Sequence, residues 1–125
     1  MLINCLAVGI GGAIGSISRY LFGLIPIQTS SGFPLSTLGI NITGAFCVGL
    51  IVGVASKNTG FSPHLLLLLK VGLCGGFTTF SAFSIETVEL MQNGKLAIAV
   101  LYVVVSVALC IFATAGAHVI INETF

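Results

Sequence analysis

The sequence predicts an all-α integral membrane protein that forms a single domain over residues 1–125. Of these residues, 57% are hydrophobic and only 6% are charged, whereas soluble domains carry roughly 25% charged residues. Apolar residues form four segments, at about 2–25, 35–55, 63–91 and 96–121. Each segment reaches the roughly 20 residues that a helix needs to cross a lipid bilayer. We therefore expect four transmembrane helices, with both termini on the same side.

The basic residues carry little information about orientation. Lys57 and Lys70 lie nearest the membrane face that is expected to hold the termini, while Arg19 and Lys95 lie nearest the other face. An excess of Lys and Arg on the cytoplasmic side normally sets the orientation. The even division leaves two interpretations open. Either the chain inserts both ways up and its copies pair antiparallel, or a weak bias fixes one orientation.

Small residues at four-residue spacing mark the first segment: Ala7, Gly11 and Gly15. Such a row lets helix backbones approach closely, so this face is expected to pack against a helix of the same chain or of a partner. Arg19 follows one turn beyond Gly15. It either extends to the membrane surface or acts as a fixed positive charge at a vestibule or subunit contact.

The second segment is expected to begin with Ser36 or Thr37 as its capping residue. Thr37, Asn41 and Gly44 share one face of this predicted helix. An amide without partners in hydrocarbon costs several kcal/mol. Asn41 is therefore expected either to form an interhelical hydrogen bond or to line a pore.

The third segment is expected to break at membrane depth, near residues 72–79. Gly75 and Gly76 have no side chains, so the backbone there is easily unwound. The hydroxyl groups of Thr78 and Thr79 can bond to the freed backbone groups. Polar backbone at this depth is tolerated only where protein, water or an ion satisfies it. The break therefore predicts a binding or conduction site.

The two helix ends at such a break differ in charge. The carbonyl end of the first half attracts a cation, and the carbonyls of Gly75 and Thr78 are candidate ligands for a small hard cation. The N–H end of the second half suits an anion. Phe80 and Phe83 project from one face of the second half. They are either core residues or rings whose positive edges accompany an anion.

The fourth segment carries a polar stripe at four-residue spacing, formed by Tyr102, Ser106 and Cys110. The stripe is either a set of interhelical contacts or the wall of a wet path. Glu86, near the outer end of the third segment, is expected in a vestibule. Lys70 is expected to extend to the membrane surface or to contact a partner subunit. Neither an enzyme nor a nucleic-acid partner is expected, since the sequence contains no catalytic, metal-binding or phosphate-binding constellation.

Three motifs together resemble those of the Fluc family of small fluoride channels. They are Gly11-Gly12-x-x-Gly15-x-x-x-Arg19-Tyr20, Gly39-x-Asn41-x-x-Gly44-x-Phe46 and Gly72-x-Cys74-Gly75-Gly76-Phe77-Thr78-Thr79-Phe80-Ser81-x-Phe83. The third motif is the most specific. The resemblance covers nearly the whole chain, and three matched motifs in the right order on a chain of four predicted helices are strong evidence for it.

The resemblance implies an antiparallel, dual-topology homodimer with two pores in a bacterial inner membrane. Such a channel carries cytoplasmic fluoride out of the cell down its electrochemical gradient and thereby confers fluoride resistance. It also implies a structural sodium ion at the centre of the dimer, held by the main-chain carbonyls that fall here on Gly75 and Thr78.

The resemblance also assigns roles to side chains. Those implied along the fluoride pore are Asn41, Phe80, Ser81 and Phe83. A polar track maps to Thr37, Tyr102, Ser106 and Glu86, and Arg19 maps to a vestibule or dimer contact. Cys110 occupies the next position of this track. Its thiol is a poor hydrogen-bond donor, so this position departs from the polar pattern of the family.

The main alternative is a proton-coupled small exporter. One form would be a fluoride/proton exchanger that acts through Glu86, and another would be a small multidrug-type transporter. The first predicted helix has no acidic residue and the chain has no tryptophan, which disfavours the multidrug type. A non-transporting helper protein would leave the predicted break unexplained.

Overall fold

The computed structural model describes residues 1–27 and 29–124, and these residues form helices and connecting loops without a strand. The first two helices are α1 (Leu2–Gly23) and α2 (Leu35–Lys57). The third apolar segment consists of α3 (Pro63–Leu66), a π-helical stretch (Leu67–Cys74), α4 (Gly75–Phe77) and α5 (Phe80–Gln92). The last helix is α6 (Leu96–Thr124).

Four spans of this structure are long and apolar enough to cross a membrane. They are Leu2–Gly23, Leu35–Lys57, Pro63–Gln92 and Leu96–Glu123. Most of the large apolar side chains on these spans face outward, as expected where lipid rather than water surrounds a helix. The prediction of an all-α, four-helix, multi-pass membrane protein is confirmed.

The start of the third segment follows from its local sequence. Ser62 is the N-cap of α3, and its hydroxyl group accepts a hydrogen bond from the N–H of Leu65 at 3.5 Å. Pro63 occupies the first helical position, where a missing N–H has no consequence. This start matches the expectation from sequence-level capping rules.

The start of α2 differs from the expectation that Ser36 or Thr37 caps it. The helix already begins at Leu35, after Pro34, and no side chain caps it. The hydroxyl group of Thr37 instead donates to the carboxylate of Glu86 on α5. The predicted cap is wrong because Ser36 and Thr37 already lie inside the helix, and the hydroxyl of Thr37 forms a charge-assisted hydrogen bond with the half-buried carboxylate of Glu86.

The third segment changes neighbours midway between Pro63 and Gln92. Its π-helical stretch and α4 pack against α1, whereas α5 packs against α6. Between α4 and α5, Thr78 (φ −75°, ψ 157°) and Thr79 (φ −148°, ψ 114°) are extended. Extended residues advance the chain about 3.3 Å each without turning it around a helix axis. The two threonines therefore connect a half that lies on α1 to a half that lies on α6.

The expectation that the backbone unwinds at Gly75 and Gly76 is wrong. Both residues are helical, and the extended residues come later. Glycine serves a different purpose at these positions, because a Cβ atom on Gly76 would lie 2.6 Å from the carbonyl oxygen of Gly12. The π-helical stretch before Gly75 was also not expected from the sequence.

The small-residue row of α1 packs inside the chain rather than on a partner. A Cβ atom on Gly11 would overlap the main chain of Leu68, and one on Gly15 would overlap the main chain of Leu73. Gly72 lies opposite Gly11, where an added Cβ would be 2.8 Å from the Cα atom of Gly11. Glycines on both sides thus allow backbone-to-backbone contact between α1 and the third segment.

A second close contact joins α2 to α6. A Cβ atom on Gly49 would lie 2.8 Å from the Cβ atom of Ala117 and 2.9 Å from the carbonyl oxygen of Thr114. At the far end of this pair, the Nζ atom of Lys57 donates to the carbonyl oxygen of Ile121 at 2.9 Å. The protomer therefore consists of two tightly packed helix pairs.

We predict that Gly11→Val destabilises the protein by about 3 kcal/mol or more, because the new side chain would overlap the main chain of Leu68 and neither backbone can easily move. The melting temperature of the purified protein in detergent measures this effect. Gly9→Val is the matched control on the same helix, since a Cβ atom on Gly9 meets no atom within 4 Å. Equal melting temperatures for the two variants would contradict the packing described here.

Candidate functional site

A cavity of about 570 Å³ lies beside the extended threonines, between α2, the third segment and α6. The candidate site residues in its lining are Asn41, Gly75, Thr78, Phe80, Phe83, Ser106 and Cys110. Candidate residues outside this lining are Arg19, Thr37, Ser81, Glu86 and Tyr102. The structure thus brings the two predicted cation ligands together with most of the predicted pore residues.

Asn41 connects α2 to the extended backbone. Its Oδ1 atom accepts a hydrogen bond from the N–H of Thr79 at 2.8 Å, and its Nδ2 atom donates to the carbonyl oxygen of Thr79 at 3.1 Å. The side chain therefore satisfies both polar groups of a backbone residue that has left the helix, as a buried position requires. The second N–H of the amide takes no part in this pair and is available to the cavity.

The hydroxyl groups of the extended threonines satisfy the two helix ends. The hydroxyl of Thr78 donates to the carbonyl oxygen of Cys74 at 2.9 Å. Thr79 is the N-cap of α5, since its hydroxyl accepts from the N–H of Ala82 at 3.1 Å. The hydroxyl of Ser81 lies 3.2 Å from that of Thr79. Ser81 therefore contacts the cap of α5 rather than the cavity.

Two main-chain oxygens near the end of α4 are open to further partners. In a continuous helix the N–H of Thr79 would bond to the carbonyl of Gly75, but here it bonds to Asn41. The carbonyl oxygen of Thr78 accepts one hydrogen bond, from the Nη1 atom of Arg19 at 3.4 Å. A carbonyl oxygen has two lone pairs, so Thr78 retains acceptor capacity.

The two phenylalanines of α5 differ in exposure. Phe80 is 77% exposed in the single chain, whereas Phe83 is 8% exposed. Their ring centroids are 5.2 Å apart, and the centroid of Phe83 lies 5.1 Å from that of Tyr102. Phe83 therefore belongs both to the helix core and to the cavity lining, while Phe80 presents most of its ring outside the core.

Ser106 has an unpartnered hydroxyl group in this cavity. The residue is 6% exposed, and its Oγ atom has no hydrogen-bond partner within the described part of the chain. A buried polar group without a partner costs about 1–3 kcal/mol. Such groups in native proteins usually mark a water molecule or a ligand that occupies the adjoining space.

Glu86 forms a hydrogen-bonded cluster with two of the other predicted track residues. Its Oε1 atom accepts from the hydroxyl of Thr37 at 2.5 Å, and its Oε2 atom accepts from the hydroxyl of Tyr102 at 2.6 Å. Glu86 also lines a second cavity of about 340 Å³, together with Glu89 and Lys95. Because Tyr102 contacts Phe83, the cluster lies between the two cavities.

The cavity lining also contains polar residues that were not assigned to the pore from the sequence, and Lys70 and Thr114 are two of them. Lys70 lines the cavity, and its spacing from Cys74 and Thr78 was a signal that the three share one side of the segment. Thr114 also lines the cavity, but its hydroxyl donates to the carbonyl oxygen of Ala45 at 3.0 Å. Thr114 therefore ties α6 to α2 and does not offer its proton to the cavity.

Comparison with known proteins bears out the resemblance described above. A family model described as CrcB-like protein, Camphor Resistance (CrcB), matches residues 6–118. A protein of Methylobacterium radiotolerans named fluoride-specific ion channel FluC is 41% identical over 119 residues, which are 94% of this chain and 83% of the relative. A protein of the same name in Ruminiclostridium cellulolyticum is 45% identical over 111 residues, which cover 88% of this chain and 85% of the relative.

The likeness extends over almost the full length of some relatives. Fluoride-specific ion channel FluC 1 of Yersinia pestis is 42% identical over 123 residues, which cover 98% of this chain and 97% of the relative. The family match and these identities agree with each other. With its four membrane-capable spans and its motifs in matching order, this chain belongs to the CrcB-like family, whose relatives named here are fluoride-specific ion channels.

Proposed function

We propose that this chain forms a fluoride-selective, passive ion channel that exports cytoplasmic fluoride down its electrochemical gradient across a bacterial inner membrane. The names of its relatives support fluoride as the ion, and membership of an ion-channel family excludes an enzyme. The observation that carries the proposal is the hydroxyl group of Ser106, which is buried without a partner among the described residues, in the cavity that Phe80 and Phe83 also line.

Fluoride is a small anion that holds its hydration water tightly, so a selective pore must replace that water with hydrogen-bond donors. The cavity offers the hydroxyl of Ser106 and the second amide N–H of Asn41. The positive edge of the Phe80 ring adds a weak electrostatic attraction. None of these groups is fully charged, so the ion can also leave, as conduction requires.

The cluster of Thr37, Tyr102 and Glu86 continues the proposed route toward the second cavity, which would serve as a vestibule. Tyr102 links the two parts because its ring contacts Phe83 and its hydroxyl bonds to Glu86. Both oxygens of Glu86 already accept hydrogen bonds, so the hydroxyl protons nearest to it are engaged. In this proposal Glu86 fixes the side chains of Thr37 and Tyr102 along the route and does not itself bind the anion.

The pore is proposed to be completed by a second copy of the chain, inserted the other way up. Phe80 is 77% exposed, and Gly75 is also exposed, so one copy leaves the cavity open on this side. The even division of the basic residues supports antiparallel pairing. A two-fold axis between the copies would produce two equivalent pores.

A structural sodium ion is proposed at the centre of the dimer. The carbonyl of Gly75 has lost its helical donor and that of Thr78 retains a lone pair, so both fit a hard cation that takes oxygen ligands. One chain would supply two such oxygens and a second copy would double the number. The ion would supply positive charge next to the carbonyl end of α4, and Arg19 would stay as a second contact of Thr78.

A proton-coupled exporter remains the alternative class. Among the described residues, the lining of the 570 Å³ cavity contains no carboxylate that could exchange protons with the substrate. Glu86 lies outside that lining and is bonded to Thr37 and Tyr102. These observations favour passive conduction over exchange.

We predict that purified protein in liposomes releases fluoride when a potassium ionophore sets the membrane potential. Phe80→Ile should reduce the rate roughly tenfold, since removal of a ring-edge contact is worth about 1.5 kcal/mol. Phe83→Ile should have a similar effect. A fluoride electrode measures efflux, and a pH electrode records whether protons move with the ion.

Phe112→Ile is the matched control for this experiment, because Phe112 is 71% exposed on α6 and lies outside the cavity. It should conduct like the wild type. Wild-type liposomes that retain their fluoride would contradict the channel proposal, and efflux that always carries protons would support the exchanger instead.

Ser106→Ala is expected to lower fluoride efflux roughly three- to tenfold, because the pore loses one hydrogen bond worth about 0.5–1.5 kcal/mol. The same change should leave the melting temperature unchanged or raise it, since it removes a buried hydroxyl without a partner. Efflux rates and melting curves of the same preparation test both statements. A lower melting temperature would indicate that Ser106 has a structural partner.

A cysteine-free background with a single C-terminal cysteine tests the orientation of the chain. In intact cells, we expect an impermeant thiol reagent to label roughly half of the molecules, because the basic residues give no strong orientation. Complete labelling, or none, would show a single orientation and contradict the antiparallel dimer.

A further inference from the structure

Of the described residues that line the 570 Å³ cavity, Lys70 alone has a charged side chain. It lies in the π-helical stretch Leu67–Cys74, seven residues after Pro63. At 1.5 Å per residue, this places its backbone about 10 Å along the segment from its start. Its side chain is exposed in the protomer.

Lys70 differs from the other basic side chains in its hydrogen bonding. The others each donate to a main-chain carbonyl: Lys57 to that of Ile121, Lys95 to that of Ser31 and Arg19 to that of Thr78. Within residues 1–27 and 29–124, the Nζ atom of Lys70 has no acceptor at hydrogen-bond distance. Three positive charges are therefore used to hold the fold together, and the fourth is not.

The acidic side chains do not compensate this charge within the protomer. Glu86 is bonded to Thr37 and Tyr102, and Glu89 lines the second cavity. Glu123 is exposed near the end of α6 and lies outside the cavity lining. The cavity consequently carries a net positive charge at the level of Lys70.

We infer that Lys70 is an anion-collecting residue, which raises the rate at which fluoride enters this cavity; the inference rests on the proposed function. An uncompensated ammonium group beside low-dielectric walls raises the local concentration of anions. The flexible four-carbon stem lets the ammonium group move between the cavity and the membrane surface. Lys70 therefore attracts the ion into the cavity but does not bind it where Ser106 and Asn41 offer their donors.

Charge-removing and charge-conserving substitutions at this position test the inference. At low ionic strength, roughly 10 mM, Lys70→Met should reduce the initial rate of fluoride efflux from liposomes about fivefold. Lys70→Arg should retain most of the rate. With potassium sulfate added to roughly 500 mM ionic strength, screening should bring the Lys70→Met and wild-type rates together.

Lys57→Met is the control, because Lys57 bonds to the end of α6 and does not line the cavity. Its rate should follow that of the wild type at both ionic strengths. Equal rates for Lys70→Met and wild type at low ionic strength would overturn the inference.

Loss of the oligomer in Lys70→Met, detected by cross-linking in the same liposomes, would also overturn the inference and would indicate an ion pair with a second copy. Wild-type liposomes without efflux would contradict the proposed function itself and this inference with it.

Discussion

Two hydrogen bonds between the Asn41 side chain and the backbone of Thr79 support the central feature of this structure. An extended residue between two helices exposes an N–H and a carbonyl that no helical neighbour can satisfy, and hydrocarbon offers no water to satisfy them. Asn41 supplies one acceptor and one donor in the required positions. The same pair removes the donor that would otherwise bond to Gly75, and so it frees a carbonyl for the proposed cation site. One side chain on α2 thereby links the fold of the third segment to its proposed function.

The glycine contacts and the extended threonines depend on each other. Gly11 and Gly15 hold the first half of the third segment against α1, while Phe83 and Tyr102 hold the second half in the core with α6. A straight helix would not serve both partners, so the segment changes direction at Thr78 and Thr79. This change of direction leaves the cavity beside the threonines, with Ser106 on one side and Lys70 in its lining. The proposed pore is thus a consequence of how the helix pairs pack.

The sequence was sufficient for the number of membrane-capable helices and for the capping of the third segment by Ser62. These features depend on length, composition and local spacing. The roles of the candidate site residues stay predictions, although many of these residues line one cavity. The extended residues Thr78 and Thr79 lie inside the predicted range of 72–79, but unwinding was expected at Gly75 and Gly76, because glycines that enable helix contact resemble glycines that enable unwinding. The role of Thr37 was missed as well, since its partner Glu86 lies 49 positions away in the chain. Partners this distant are set by packing, which a local pattern does not encode.

The conformation of Thr78 and Thr79 in a lipid bilayer tests the central claim most directly. Solid-state NMR of the protein labelled with ¹³C-threonine in liposomes reports the Cα and Cβ chemical shifts of these residues, which differ between helical and extended backbone. The account predicts extended values at both positions in the wild type, and a change at Thr79 in Asn41→Leu, which keeps the size of the side chain but removes both hydrogen bonds. Helical values at both threonines of the wild type would contradict the account.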